Sequence, residues 1–128
     1  MLKKILFFGY LSTITIVSLL PSNDLPDVKL FPSADKVVHL CLYAGLTFLF
    51  FWSWPGKFKG KKQFLPLLLV FCWGFMMEII QGLGHYGRQF DLLDQVANVS
   101  GFLPGWLTWK LWNYRNTRIL LHNVESKT

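Results

Sequence analysis

Nine residues have types and spacing that could do chemistry together: Asp35, Lys36 and His39; Glu78 and Gln81; and Arg88, Asp91, Asp94 and Asn98. All but Arg88 fall in, or at the ends of, long apolar stretches. Ionisable side chains are costly there and mark function by default. A histidine sharing a proton with a carboxylate is the raw material of general acid–base chemistry. His39, Glu78 and Asp94 are therefore the candidate catalytic groups. Lys36 and Arg88 are the cations that could hold a phosphate or carboxylate. Asp35, Gln81, Asp91 and Asn98 complete the expected ligand-binding set. A catalytic metal needs several histidines and carboxylates together, and His39 is the one histidine in an apolar stretch. Neither a metal nor another cofactor is expected.

Helical geometry brings these residues to one place. At about 100° per residue, Asp35, Lys36, His39 and Tyr43 share an arc of roughly 100° on one helix. Gly74, Glu78, Gln81 and Gly82 share a similar arc on the next. Asp91, Asp94, Asn98, Gly101 and Gly105 fall within roughly 80° on the one after. Each helix thus carries one polar or small-residue stripe, which lipid would reject, so the stripes should face each other. Gly101-x-x-x-Gly105 would let another backbone approach just below the polar layer.

The elements that carry the stripes follow from composition. The chain has 128 residues, 52% hydrophobic, 17% aromatic and only 16% charged, with a mean hydropathy of +0.36. A soluble domain carries about 25% charged residues. Disorder, a coiled coil and an acidic tail protein are excluded. The expected fold is an all-α polytopic membrane bundle, one domain over residues 1–128, with four transmembrane helices. The spans are expected at about 5–20, 35–54, 64–83 and 91–112, followed by a short polar tail, 113–128. Pro21, Pro26 and Pro32 break the chain after the first span, and Pro55-Gly56 after the second. The first stretch also fits a secretory leader, but no A-x-A-like site follows it, so an uncleaved helix is the expectation. Cys41 and Cys72 form no C-x-x-C pair and are expected as small buried apolar residues.

The net charge of +6 would suggest nucleic acid in a soluble protein. Here the aromatics lie in apolar runs and not among a basic patch, so no nucleic acid is expected. The charge reads as topology. With both termini cytoplasmic, the inside holds Lys3, Lys4, Lys57, Lys59, Lys61, Lys62, Lys110, Arg115, Arg118 and Lys127. The outside holds Lys29, Lys36 and Arg88, a bias of ten against three. Trp52, Trp54, Trp106, Trp109 and Trp112 suit an aromatic belt at the inner boundary. The polar layer then lies on the order of 5–10 Å below the outer boundary and would open outward as an acidic pocket.

The same groups could instead form a structural network that holds the helices together. Lys36 could snorkel, Asp35 or Ser33 could cap a helix, and Tyr43 reads as packing. His85 reads as solvated and His122 as remote from the cluster. A proton-coupled carrier is disfavoured, because no polar stripe continues to the inner side. Nucleotide-binding, zinc-protease and serine-hydrolase motifs are absent from the sequence.

The series Asp35-Lys36-x-x-His39-x-x-x-Tyr43, Glu78-x-x-Gln81 and Arg88-x-x-Asp91-x-x-Asp94-x-x-x-Asn98-x-x-Gly101-x-x-x-Gly105 resembles the VanZ-like family of small bacterial membrane proteins. The resemblance covers residues 35 to 105, in the family's order. It implies a protein integral to the bacterial inner membrane, with a possible link to resistance to the glycopeptide teicoplanin. It supplies no reaction. Two functions are carried forward. One is an envelope protein whose pocket binds or modifies a lipid or cell-wall-related ligand, with membrane lipids and an anionic lipid or cell-wall precursor as the partners. The other is a non-enzymatic scaffold or binding protein whose polar layer is structural. The oligomeric state is left open.

Overall fold

Long apolar runs propagate as helix, even across single glycines such as Gly45 and Gly74, and the run from Ala34 stops at the Pro55-Gly56 breaker. The computed structural model describes residues 1–19, 33–84 and 90–126. Among them the helices are α1 (Leu2–Leu19), α2 (Ala34–Ser53), α3 (Leu65–Leu83), α4 (Leu92–Ser100) and α5 (Phe102–Glu125), with a 3₁₀ turn at Gly60–Phe64. Residues 20–32 and 85–89, with Lys29, His85 and Arg88, lie outside the described residues, as does Lys127; of the Gly-rich loop expected at 82–90, Gly82 and Leu83 belong to the end of α3.

Helix α2 ends before Pro55-Gly56, where Gly56 adopts φ 77°, the left-handed region open to glycine. Helix α3 begins with Pro66 in its first turn, where a missing N–H costs nothing. Asp91 caps α4, its carboxylate accepting from the Leu93 N–H at 2.7 Å. The expected cap at α2 is different. Ser33 holds the capping position but its side chain makes no capping bond, and Asp35 lies in the first turn.

Three stretches are long and apolar enough to cross a membrane: Leu2–Leu19, Ala34–Ser53 and Gly60–Leu83. The fourth expected stretch is divided, with α4 and α5 meeting at Gly101. Pro104 explains the break, since it has no N–H to offer the Ser100 carbonyl one turn back. Beyond it the helix runs to Glu125. The expected tail is therefore helical up to that point, because nothing between Trp106 and Glu125 breaks it. Arg118 stacks on Tyr114 one turn earlier, 5.2 Å from its ring centre.

Helix α2 touches every other helix. Helix α1 runs antiparallel to it: Phe7 packs edge-on to Phe50 and Trp54 at 5.7 and 5.1 Å, and Tyr10 Oη donates to the Leu42 carbonyl at 3.1 Å. The apolar core joins Phe7, Ile14, Tyr43, Leu46, Phe50 and Val70. Outward faces are apolar too, with Leu68, Phe71, Val96 and Leu107 all exposed. That arrangement suits a hydrocarbon surround and would be a liability in water. Cys41 and Cys72 correct the sequence expectation: both are free and exposed on these outward faces, where a lipid-facing position satisfies an apolar thiol as well as burial would.

The tryptophan end of the bundle gathers three lysines. Lys3 lies 4.8 Å from the Trp52 ring, Lys4 6.0 Å from Trp54, and Lys110 3.9 Å from Trp106. These cation–π contacts let aliphatic stems follow apolar surface while the ammonium stays near its boundary.

Candidate functional site

Helices α2 and α4 run parallel, and their N-terminal ends meet in an ion cluster. Lys36 Nζ donates to Asp91 Oδ2 and Asp94 Oδ1, each at 2.7 Å, and to Asp35 Oδ2 at 3.1 Å. An ammonium has three N–H donors, so each has a carboxylate partner. The Lys36 side chain is 22% exposed and that of Asp94 14%, so these bonds are only partly screened by solvent. The Lys36 ammonium, and after it the Leu93 N–H, hold the Asp91 carboxyl below the ordinary aspartate range. Carboxylate oxygens of Asp35, Asp91 and Asp94 lie within 4.8 Å of one another, a spacing that suits a metal ion. The Lys36 ammonium bonds all three.

One turn deeper, His39 Nδ1 pairs with Asn98 Oδ1 at 2.9 Å. A carbonyl oxygen only accepts, so Nδ1 carries the proton in this arrangement. Nε2 faces Asp94 Oδ2 at 3.9 Å. This leaves the Nε2 lone pair as the ring's proton acceptor.

Glu78 enters from α3 and is 1% exposed. Its Oε2 accepts from the Asp91 N–H at 3.3 Å. Its Oε1 is buried and has no partner among the described residues, and the same holds for the Tyr43 hydroxyl. The two groups are close enough to interact electrostatically, as are Glu78 and His39. A buried polar atom left unbonded costs about 1–3 kcal/mol. Two such atoms in one buried layer leave acceptor and donor capacity that a proton, a water or a ligand hydroxyl or amine could meet.

Glycines bring the helices close enough for these contacts. A Cβ on Gly101 would lie 2.5 Å from the Leu40 carbonyl oxygen, and one on Gly105 would strike the Ala44 carbonyl and lie 2.8 Å from Thr47 Cβ. A Cβ on Gly74 would meet Gln95 Oε1 at 2.8 Å and Asn98 Nδ2 at 3.0 Å. The close approach of Gly101 and Gly105 to α2 accords with the expectation from their spacing.

Seven of the nine expected residues meet in this layer: Asp35, Lys36, His39, Glu78, Asp91, Asp94 and Asn98. Gln81 does something else, donating from Nε2 to the Ser18 carbonyl at 2.6 Å and tying α3 to α1. Arg88 lies outside the described residues. The sequence stripe missed Gln95, which is buried and donates to the Phe71 carbonyl at 3.0 Å. It sits about 100° around from Asp94, so its one signal was a polar residue in an apolar run. Tyr43, read as packing, is indeed in the core, but its hydroxyl belongs to the site.

No protein-family model matches the chain, and no solved structure matches it. Over 70 residues, 55% of its length, it is 34% identical to an uncharacterized protein of the yeast Schizosaccharomyces pombe. The match covers 43% of that relative, so the chain spans less than half the length of the protein it resembles.

Proposed function

We propose that this chain is a VanZ-like protein integral to the bacterial inner membrane, whose polar layer binds or modifies the head of a lipid or a cell-wall-related ligand. In this reading it crosses the membrane four times, with both termini cytoplasmic. The fourth span is α4 together with the first half of α5. The layer at the N-terminal ends of α2 and α4 then opens to the outer leaflet. Support for the orientation comes from the lysines stacked on tryptophans at the opposite end of the bundle.

The observation that carries the functional reading is that Glu78 Oε1 and the Tyr43 hydroxyl are both buried and have no partner among the described residues. A layer built only to join helices would satisfy those atoms internally. Glu78 and His39 Nε2 handle protons in this reading, and Asp94 and Asn98 orient the imidazole. Lys36 takes no part in holding an anion, because its three donors already bond carboxylates. Lipid is the ligand class available to this chain and to a relative in a yeast alike.

One observation favours the second reading, a scaffold with a structural polar layer. The Lys36 cluster joins α2 to α4 in the manner of a helix staple. The two readings separate in a glycopeptide-sensitive host expressing wild type, Glu78→Gln and Asp94→Asn at matched membrane abundance. The proposed function predicts that wild type lowers teicoplanin susceptibility and that both variants lose the effect. Equal protection by the variants would assign the layer to structure. No protection by wild type would remove the resistance link.

A further inference from the structure

Two lysine-bearing segments meet at the C-terminal end of α2. One is the start of α1, with Lys3 and Lys4, and the other is the connection from α2 to α3, with Lys57, Lys59, Lys61 and Lys62. All six lysines are exposed. Ser53 Oγ donates to the Lys3 carbonyl at 2.8 Å, Lys4 Nζ lies 6.0 Å from the Trp54 ring, and the Lys57 N–H donates to the Trp54 carbonyl at 3.4 Å. The connection is anchored at its middle. Phe58 packs against the core, its ring 4.8 Å from that of Phe50. Gly56 and Gly60, at φ 77° and 58°, turn the chain on either side of it. Lys57 and Lys59 therefore flank a fixed ring and face outward.

The carboxylates are placed elsewhere. Asp35, Glu78, Asp91 and Asp94 belong to the polar layer, about 27 Å away along α2. Glu125 closes α5, about 20 Å of helix beyond Trp112, and Asp24 and Asp27 lie outside the described residues. Exposed charges so far apart are screened from one another, so the polar layer does not compensate the lysines. Lysine is a point-charge binder of phosphate. Apolar side chains border the same end: Ile5 and Phe8 of α1 are exposed, as are Phe64 and Leu65 where the 3₁₀ turn meets α3. A ligand that joins a negative phosphate to long hydrocarbon chains matches both features. A soluble phosphate or a nucleic-acid backbone would leave the apolar border uncovered.

We propose that this end holds the head group of an anionic phospholipid of the cytoplasmic leaflet. Lys57, Lys59, Lys61 and Lys62 supply the charge, and the acyl chains lie along the exposed apolar side chains of α1 and α3. The proposal rests on the membrane reading above and is independent of the polar layer. It moves the expected anionic lipid from Lys36 and Arg88 to the opposite end of the bundle.

The test titrates the detergent-purified full chain with phosphatidylglycerol and phosphatidylcholine of matched chains, and bound lipid is read by native mass spectrometry. Both head groups carry a phosphate, but only the first has a net charge. Wild type should hold phosphatidylglycerol about tenfold more tightly. Lys57→Gln, Lys59→Gln, Lys61→Gln and Lys62→Gln together should bring the two lipids to near parity, while arginine at the same four positions should keep the preference. Should the fourfold glutamine variant fail to fold by circular dichroism, Lys57→Gln with Lys59→Gln should still lower the preference. Millimolar inorganic phosphate should leave the bound lipid in place. Equal binding of the two lipids by wild type, a preference that survives loss of the lysines, or displacement by inorganic phosphate would each overturn the proposal, the last by assigning the lysines to a soluble anion. Binding of both lipids at parity would leave the membrane reading standing, whereas binding of neither would remove that reading too.

Discussion

The two ends of this bundle hold α2 to its neighbours by different physics. At the tryptophan end, Phe7, Phe50 and Trp54 interlock as rings 5.0–5.7 Å apart, and Phe51 stacks on Trp109 at 4.7 Å. Ring packing of this kind is tolerant: a side chain of similar volume can replace another at modest cost. At the other end, Lys36, three aspartates, His39 and Asn98 join α2 to α4 through directed bonds of 2.7–3.1 Å. There, removing one partner leaves another stranded. The difference teaches that residue identity is constrained at the polar end and mainly residue volume at the aromatic end. Within the polar end a second contrast appears. The Lys36 cluster is fully bonded, whereas Glu78 and Tyr43 are not.

The largest expected effect is that of Lys36→Met. It strands three carboxylates, of which only Asp94, 14% exposed, is well shielded from solvent, so after discount for screening the cost is about 2–3 kcal/mol, below that of a fully buried ion pair. A shift of that size in the unfolding midpoint, measured by denaturant titration in detergent, would establish the cluster as the staple between α2 and α4. Adding Asp94→Asn should recover part of the loss.

Next in size comes Gly105→Val, which drives a side chain into the Ala44 carbonyl and Thr47. Overpacking of this kind costs about 1–3 kcal/mol, and the bonds between His39 and Asn98 should loosen as α5 moves off α2. Unchanged stability would mean that the two helices are free to separate there. At the tolerant end of the comparison, Leu46→Met in the fully buried core should cost less than about 1.5 kcal/mol. A cost equal to that of Lys36→Met would erase the contrast between the two ends.

The smallest effect concerns pH. Asp91 is held below the ordinary aspartate value of 3.8 by Lys36 and the Leu93 N–H. A group whose pKa is lowered on folding contributes stability above its unfolded value and loses it as pH falls through the folded one. Stability should therefore be insensitive to this group from pH 7 to pH 5 and decline below about pH 4. Asp91→Asn should flatten that acid limb without removing the α4 cap. A limb unchanged in the variant would place the titration elsewhere.

Much of the polar layer was legible before any coordinates, because helical periodicity alone put His39 beside Lys36 and Asn98 beside Asp94. The glycine approach at Gly101 and Gly105 was legible for the same reason. What periodicity could not supply was the partner of each group. Lys36 looked like a free cation for a ligand, and only the convergence of α2 and α4 shows it saturated by carboxylates. Gln81 sat on the right stripe, yet a carbonyl on α1 lay within its reach. Gln95 sat off the stripe and still turned inward, because Gly74 opens space on α3. The division at Gly101 was missed although Pro104 was in plain view, since an apolar run with one proline reads as continuous. The tail at 113–128 is polar and carries no apolar stripe to announce a helix, yet nothing in it breaks one, and the helix continues to Glu125.

The account's central claim is that Glu78 belongs to the site and not to the scaffold. The most direct test compares Glu78→Gln with Lys36→Met in one denaturant titration of the full chain in detergent. The amide keeps an oxygen to accept from the Asp91 N–H, and no partner of Glu78 Oε1 among the described residues is lost, so the account predicts a change within about 1 kcal/mol of wild type. Lys36→Met should fall by about two to three times that amount. If Glu78→Gln is destabilised as much as Lys36→Met, Glu78 is a structural tie, and the claim is contradicted.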